Sequence, residues 1–259
     1  MPPADAVSPA GALSPAGALS PAAAHSAPEG VVLPDELTIP ALLAARRRHD
    51  GDVQALVSDE EAITFAELDD ASRALAARLV GAGVTKGSRV GLVQPNGIGW
   101  AVASLAVMRV GAVLVPLSTL LRPPELLAQL RVAAVTELVV VPELRGRDYL
   151  DELESAAPGL TAAARRGRRH PAVPSLRRIW LSDELLGKSA QVAEAGEAAG
   201  DAPAPTAVVE ALERAVRPAD DLVVLFTSGS RGTPKGVLHT HGGGLRAVAS
   251  SLESRRVGR

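Results

Sequence analysis

The stretch Leu222–His241 reads LVVLFTSGSRGTPKGVLHTH, and it sets the expected fold of the whole chain. Its first five residues form an apolar run with β-branched and aromatic members, bounded by Asp221 in front and Gly229 behind. Such a run is typical of a buried strand. A segment rich in hydroxyl groups and glycines follows, with a lysine near its end. Hydroxyls donate to phosphate oxygens, glycines let backbone amides approach an anion, and lysine adds a mobile positive charge.

This order of residues predicts a phosphate-binding loop. Its predicted members are Thr227, Ser228, Gly229, Ser230, Arg231, Gly232, Thr233, Pro234, Lys235 and Gly236. The spacing excludes a Walker loop, because Lys235 precedes Gly236 and Val237 instead of Ser or Thr. The dinucleotide fingerprint G-x-G-x-x-G is also missing from this stretch. A flexible turn between a strand and a helix is the alternative interpretation of the same segment.

The segment TSGSRGTPKGV, with His241 seven residues after Pro234, resembles the phosphate-loop signature of the adenylate-forming superfamily. That superfamily includes acyl-CoA synthetases, the adenylation domains of peptide synthetases and beetle luciferases. Arg231 stands where the family usually has Thr or Ser. The glycines and the lysine are unchanged, so the loop is expected to keep its phosphate-binding shape.

Upstream of the loop, the sequence alternates between strand and helix patterns. Thr64 and Glu67 have capping-box spacing, and apolar residues then recur at helical spacing from Leu68 to Leu79. Further helices are predicted at 99–109, 124–134, 148–155 and 207–216, and strands at 89–94, 112–115, 137–141 and 178–181. This alternation predicts an α/β fold with a parallel sheet and crossover helices. The block from Gln94 to Leu126 also resembles the first α/β subdomain of acyl-CoA synthetases, so the expected fold is an incomplete N-terminal subdomain of that kind.

The chain divides into three predicted parts. Residues 1–31 repeat Ser-Pro-Ala-Gly-Ala-Leu and are expected to be a disordered tail. Residues 32–216 are predicted to form the first α/β subdomain, with flexible loops around 156–205. Residues 217–259 are predicted to begin a second subdomain that carries the phosphate loop.

Composition narrows the functional classes. The net charge of −2 gives no electrostatic argument for binding nucleic acid. The chain has no cysteine, which excludes disulfides and thiolate chemistry and is compatible with a cytoplasmic location. The apolar segment 98–121 contains Arg109, Gly111 and Pro116, so we predict buried core here instead of a membrane span.

The resemblance implies an enzyme that uses ATP and Mg²⁺ to convert a carboxylic acid into an acyl-adenylate, and then transfers the acyl group to a thiol such as coenzyme A. It also implies a place in fatty acid metabolism. Ser228, Ser230, Thr233 and backbone amides would contact the phosphates, with Lys235 compensating their charge. Thr227 would shape the turn, and His241 would either orient the next helix or line the acyl side. No residue of the chain is assigned as catalytic or as a metal ligand.

The family continues beyond this loop with a Tyr-Gly-x-Thr-Glu segment, a ribose-binding aspartate and a mobile C-terminal domain that carries a lysine. We therefore expect the chain to be an N-terminal portion of an acid–thiol ligase, inactive without a complementary C-terminal half. The alternative is a non-catalytic remnant or interaction module that retains the α/β subdomain. An unrelated phosphate-binding α/β protein is a third interpretation. In either of the first two cases, an unfinished sheet would expose a strand edge and an apolar face.

Overall fold

The computed structural model describes residues 33–58, 61–186, 202–227 and 234–254. In these ranges the helices are α1 (Ile39–Asp50), α2 (Phe65–Gly81), α3 (Ile98–Arg109), α4 (Pro123–Val132), α5 (Tyr149–Ala156), α6 (Leu160–Arg165), α7 (Ser182–Leu185), α8 (Thr206–Ala215) and α9 (His241–Ser254). The strands are β1 (Gln54–Val57), β2 (Ala62–Thr64), β3 (Arg89–Val93), β4 (Val113–Pro116), β5 (Glu137–Val140), β6 (Glu143–Leu144), β7 (Arg147–Asp148), β8 (Arg178–Leu181), β9 (Asp221–Thr227) and β10 (Lys235–Thr240).

A six-stranded sheet organises the described part of the chain, in the order β10-β9-β4-β3-β5-β8. The five strands from β9 to β8 are parallel to one another, while β10 runs antiparallel to β9 at the edge. Two antiparallel pairs, β1 with β2 and β6 with β7, lie outside this sheet. The sheet is therefore a mostly parallel α/β sheet, as the sequence pattern predicts.

Alternating side chains of the central strands bury both faces of the sheet. In β4, Leu114 packs with α2, α3 and α8 on one face, whereas Val113 and Val115 pack with α4 and α5 on the other. Val139 of β5 shares the face of Leu114, whereas its neighbours Leu138 and Val140 lie on the other face, as the period of two residues along a strand requires. Helices therefore cover both sides, which is the arrangement that parallel sheets need.

The connections that leave β3 and β4 pass to opposite faces of the sheet. Helix α3 follows β3 and lies on the face of α2, while α4 follows β4 and lies on the face of α5. β4 and β5 are the neighbours of β3 on its two sides. This reversal creates a crevice at the carboxyl ends of β3 and β4, where open α/β sheets bind their ligands.

Local signals in the sequence start the helices where expected. The Thr64 hydroxyl accepts a hydrogen bond from the Glu67 backbone N–H at 3.2 Å, and the Glu67 carboxylate accepts from the Thr64 N–H at 2.9 Å. This is the predicted capping box. The carboxylate of Glu67 also accepts a hydrogen bond from the Thr64 hydroxyl, and the two bonds it accepts from Thr64 hold its pKa below the usual value.

Most predicted elements are confirmed to within two residues. The segment 98–121 forms α3 and β4 inside the core, and no helix in the described ranges has the length and apolar composition needed to cross a membrane. The region 156–205, predicted as loops, also contains the helices α6 and α7 in its described part. The predicted tail at 1–31 lies outside the described residues. The division at residue 217 stays a prediction, and β9 and β10 beyond it belong to the same sheet as β3, β4, β5 and β8.

Candidate functional site

The hairpin formed by β9 and β10 carries the predicted phosphate loop. Thr227 is the last residue of β9, and Lys235, the first residue of β10, lies directly opposite it. Both residues are exposed. The predicted loop residues Ser228, Gly229, Ser230, Arg231, Gly232 and Thr233 lie between them and outside the described residues, while Pro234 is described and half-buried. The structure thus shows that the loop joins two paired strands, a feature that the sequence reasoning missed.

Strand β9 of the hairpin extends past the carboxyl end of its neighbour β4. Val223 is level with Leu114 in the neighbouring β4, and β4 ends two residues later at Pro116. Thr227 is four residues beyond Val223 and therefore two residues beyond the level of Pro116. At the rise of a strand, about 3.3 Å per residue, Thr227 stands about 7 Å past the end of β4. Thr227 and the opposite residue Lys235 therefore lie past the carboxyl end of β4.

Gly236 corrects one detail of the sequence interpretation. Gly236 was predicted as a member of the loop, but it lies inside β10 and does not have a positive φ. A Cβ atom at this position would lie 2.7 Å from Val224 Cγ1. Gly236 therefore allows β10 to pack closely on β9, and its small size is explained by this contact between strands.

A cavity of about 500 Å³ lies at the carboxyl ends of β3 and β4, and no described residue of β9 or β10 lines it. Polar and apolar side chains line it together, and Gln94 Oε1 in its wall is buried without a hydrogen-bond partner among the described residues. The lining residues are Gln94, Pro95, Asn96, Trp100, Pro116, Leu117, Ser118, Thr119, Leu120, Leu144 and Arg145. No sequence motif pointed to this cavity. The order of strands in the sheet, which sequence patterns do not specify, creates it.

Arg147 and Tyr149 hold the loop that follows β4 and borders the cavity. The Arg147 guanidinium donates to the carbonyl oxygens of Thr119 at 2.6 Å and Leu121 at 2.8 Å, and the Tyr149 hydroxyl donates to Thr119 O at 2.8 Å. Glu152 accepts two hydrogen bonds from the same guanidinium. That pairing raises the pKa of Arg147 and lowers that of Glu152. The loop is therefore fixed by side chains from the β6–β7 hairpin and α5.

His241 is the first residue of α9, the position expected from the sequence, and its role in substrate binding or helix orientation stays a prediction. It is fully buried and follows the last residue of β10, at the other end of the paired strands β9 and β10 from Thr227. Six strand residues separate it from the loop, a distance of about 20 Å. The structure thus places His241 at the helix start and away from the hairpin tip. Burial lowers the pKa of His241 from 6.5 to about 4, so the side chain is neutral near pH 7.

Among the described residues there is no group of three His, Asp or Glu side chains placed to hold a metal ion. The exposed side chains of Lys235 and Thr227 carry an ammonium group and a hydroxyl, which suit an anionic ligand such as a phosphate group.

Comparisons with known proteins identify the family of the chain. The family described as AMP-binding enzyme matches residues 43–258. The chain is 34% identical over 217 residues to 3-[(3aS,4S,7aS)-7a-methyl-1,5-dioxo-octahydro-1H-inden-4-yl]propanoyl:CoA ligase of Mycobacterium tuberculosis, covering 83% of this chain and 39% of the relative. It is 30% identical over 226 residues to 4-coumarate--CoA ligase 5 of Oryza sativa subsp. japonica, covering 86% of this chain and 36% of the relative.

A solved structure shows the same fold. O-succinylbenzoate coenzyme A synthetase (MenE) from Bacillus subtilis, in complex with AMP, matches with a TM-score of 0.58 and 23% identity, covering 81% of this chain and 44% of that chain. The chain therefore spans less than half the length of these relatives. It belongs to the AMP-binding enzyme family.

Proposed function

We propose that this member of the AMP-binding enzyme family supplies the phosphate-binding part of an ATP-dependent acid–thiol ligase. In the first step, the oxygen of a carboxylate attacks the α-phosphorus of ATP, and the bond to pyrophosphate breaks to leave an acyl-adenylate. In the second step, a thiol, with coenzyme A as the proposed acceptor, takes the acyl group and releases AMP. The observation that carries the proposal is the β9–β10 hairpin, which sets Lys235 opposite Thr227 on the strand next to β4, whose carboxyl end borders the cavity.

The main physical obstacle in the first step is the repulsion between a carboxylate and the triphosphate. Positive charge near the β and γ phosphates reduces this repulsion and stabilises pyrophosphate as it leaves. We assign that role to Lys235, which is exposed at the start of β10. The hydroxyls and amides of Thr227 to Thr233 would hold the phosphates, and Mg²⁺ bound to the nucleotide would share their charge.

The relatives support a ligase of this class, since both are named as CoA ligases. They differ in the acid that their names specify, so the acid used here is left open, and a place in fatty acid metabolism stays a prediction. A cytoplasmic location likewise stays a prediction from the cysteine-free composition. The expectation that the chain is inactive without a C-terminal half also stays a prediction.

Equilibrium binding of MgATP to the chain tests the role of Lys235. Lys235→Ala should weaken binding about tenfold or more, because a hydrogen bond to a charged group contributes about 1.5–3 kcal/mol. Arg131→Ala is the matched control, since it removes one positive charge from an exposed position in the last turn of α4. Equal affinities for Lys235→Ala and the unaltered chain would remove Lys235 from the site.

Pyrophosphate exchange separates the ligase from the non-catalytic alternative. Labelled pyrophosphate enters ATP only when acyl-adenylate forms reversibly. The chain is assayed with a panel of carboxylic acids, alone and mixed with the separately expressed C-terminal part of the Mycobacterium tuberculosis relative. Acid-dependent exchange in either case supports the ligase. No exchange in both, with MgATP bound normally, supports the interaction module.

A further inference from the structure

The first turn of α1 obtains one of its hydrogen bonds from a residue far along the chain. The first backbone N–H groups of a helix have no partner within the helix. In α1 the N–H of Ala41 donates to the Thr38 hydroxyl at 3.3 Å, and Pro40 has no N–H to satisfy. The remaining donor, the N–H of Ile39, bonds to His241 Nδ1 at 3.2 Å. His241 thus completes the capping of α1 across 202 positions of sequence.

The same histidine closes the base of the β9–β10 hairpin. Its backbone N–H donates to the carbonyl of Asp220 at 3.0 Å, and the N–H of Gly242 donates to Pro218 O at 2.8 Å. Leu222 of β9, Leu245 of α9 and apolar side chains of α1 form a small buried cluster nearby. Two strands and two helices therefore meet around one buried imidazole.

We propose that His241 is a positioning residue for Lys235, because its bond to α1 fixes the register of β10 on β9 and so keeps Lys235 opposite Thr227. The effect of His241 on nucleotide binding rests on the proposed function, whereas its effect on the pairing of β10 with β9 can be tested without nucleotide. The acceptor at Nδ1 leaves the proton of the neutral ring on Nε2, so His241 acts as a fixed acceptor here.

The pairing at the base of the hairpin explains why an anchor is needed. The ladder is irregular between His239 and Thr240, since His239 pairs with Val223 while Thr240 pairs with Asp221. A slip of one residue in a strand turns every side chain to the other face. Such a slip in β10 would take Lys235 away from Thr227 and turn it to the other face of the sheet. The bond to Ile39 selects one register at the irregular end.

The charged groups near His241 agree with a neutral ring. Burial is the largest cause of its low pKa, Asp220 opposes that effect, and Lys86 adds to it. The Lys86 ammonium lies 2.6 Å from the Asp220 carboxylate, which reduces the influence of that carboxylate on the imidazole. The ring also adjoins the N-termini of α1 and α9, where positive charge is unfavourable.

Two substitutions in the full chain distinguish the effect of losing the hydrogen-bond acceptor from the effect of losing the volume of the ring. His241→Asn places an amide oxygen where Nδ1 lies and keeps an acceptor for Ile39, whereas His241→Leu fills the buried site without one. Amide hydrogen exchange then measures protection at Ile39 and along β10. We expect His241→Asn to retain this protection and His241→Leu to lose about tenfold, the equilibrium equivalent of one net hydrogen bond. MgATP affinity should follow the same order.

The outcomes are distinct. Equal protection of Ile39 and β10 in the Leu variant and the unaltered chain overturns the inference, as does an Asn variant that loses protection as the Leu variant does. If the Leu variant does not fold, protection of Ile39 in the Asn variant decides the question. If the unaltered chain does not bind MgATP, the proposed function fails and the exchange results alone decide the role of His241. If MgATP affinity is measurable and stays the same while the protection of β10 amides changes, the positioning role is overturned.

Discussion

Replacing Arg109 with methionine should remove a large part of the free energy of unfolding of this chain. Arg109 ends α3 with a side chain that is only 1% exposed. Its guanidinium lies 2.7 Å from the Asp69 carboxylate and 2.6 Å from the Glu213 carboxylate, and it also donates to the Ser72 hydroxyl at 2.7 Å. The residue therefore ties α3 to α2 and α8. Methionine keeps an unbranched apolar stem and removes the charge and all the donors.

The expected size of the loss follows from the partners left behind. Removing one member of a buried ion pair costs about 3–5 kcal/mol, because the other charge stays buried without compensation. Here Arg73 still lies 3.3 Å from Asp69 and 2.9 Å from Glu213. Both acids keep a partially exposed partner, so we expect a loss near the lower end of that range, about 3 kcal/mol.

Urea denaturation measures this prediction, with Arg214→Met as the control. Arg214 is 70% exposed and lies 3.8 Å from Glu210 on the same helix, so its loss should cost about 0.5 kcal/mol or less. The denaturant dependence should stay the same in both variants, since neither changes the surface exposed on unfolding. A loss below about 1 kcal/mol for Arg109→Met, or one equal to that of Arg214→Met, would refute the reasoning.

Three further outcomes are expected. The pKa of His241 is about 4 in the folded chain and 6.5 ordinarily, so the unfolded chain binds this proton first as pH falls. The free energy of unfolding should therefore drop by about 3 kcal/mol between pH 6.5 and 4. His241→Leu should lack this part of the pH dependence, and identical pH profiles for the two chains in urea titrations would contradict the prediction. Gly236→Ala should lower the melting temperature, since the new Cβ would lie 2.7 Å from Val224 Cγ1; an unchanged melting curve would show that the strands adjust freely. Val237 is 43% exposed on the edge strand β10, so the chain should self-associate through this strand. Val237→Lys should reduce the association in sedimentation experiments. An unaltered chain that stays monomeric as its concentration rises would contradict this prediction.

The parallel sheet was predictable because each strand and helix carries its own local signal. The capping box at Thr64 and Glu67 starts α2 where the spacing predicts, and the apolar run at 222–226 lies within β9. These features depend on residues that are close in sequence. In the described residues, the strand that contains Leu222 is paired on both sides, by β4 and β10, and the exposed edge lies at β10, where Val237 and Leu238 are exposed.

Other features depend on contacts between distant residues and were missed. Nothing in the pattern of Lys235–Thr240 distinguishes an edge strand from a loop, because glycine and lysine are both poor strand formers. The bond between Ile39 and His241 joins residues 202 positions apart, and the cavity beside Trp100 depends on the strand order. Only the arrangement of the sheet brings these groups together.

The most direct test of the central claim is a map of backbone amide exchange in the full chain with and without MgATP. We expect slower exchange for the backbone amides of residues 227–233, 235 and 236 when nucleotide is bound, with no change in β8 at the opposite edge of the sheet. Slower exchange confined to any other region, with the hairpin amides unchanged, would show that the nucleotide binds elsewhere and would contradict the account.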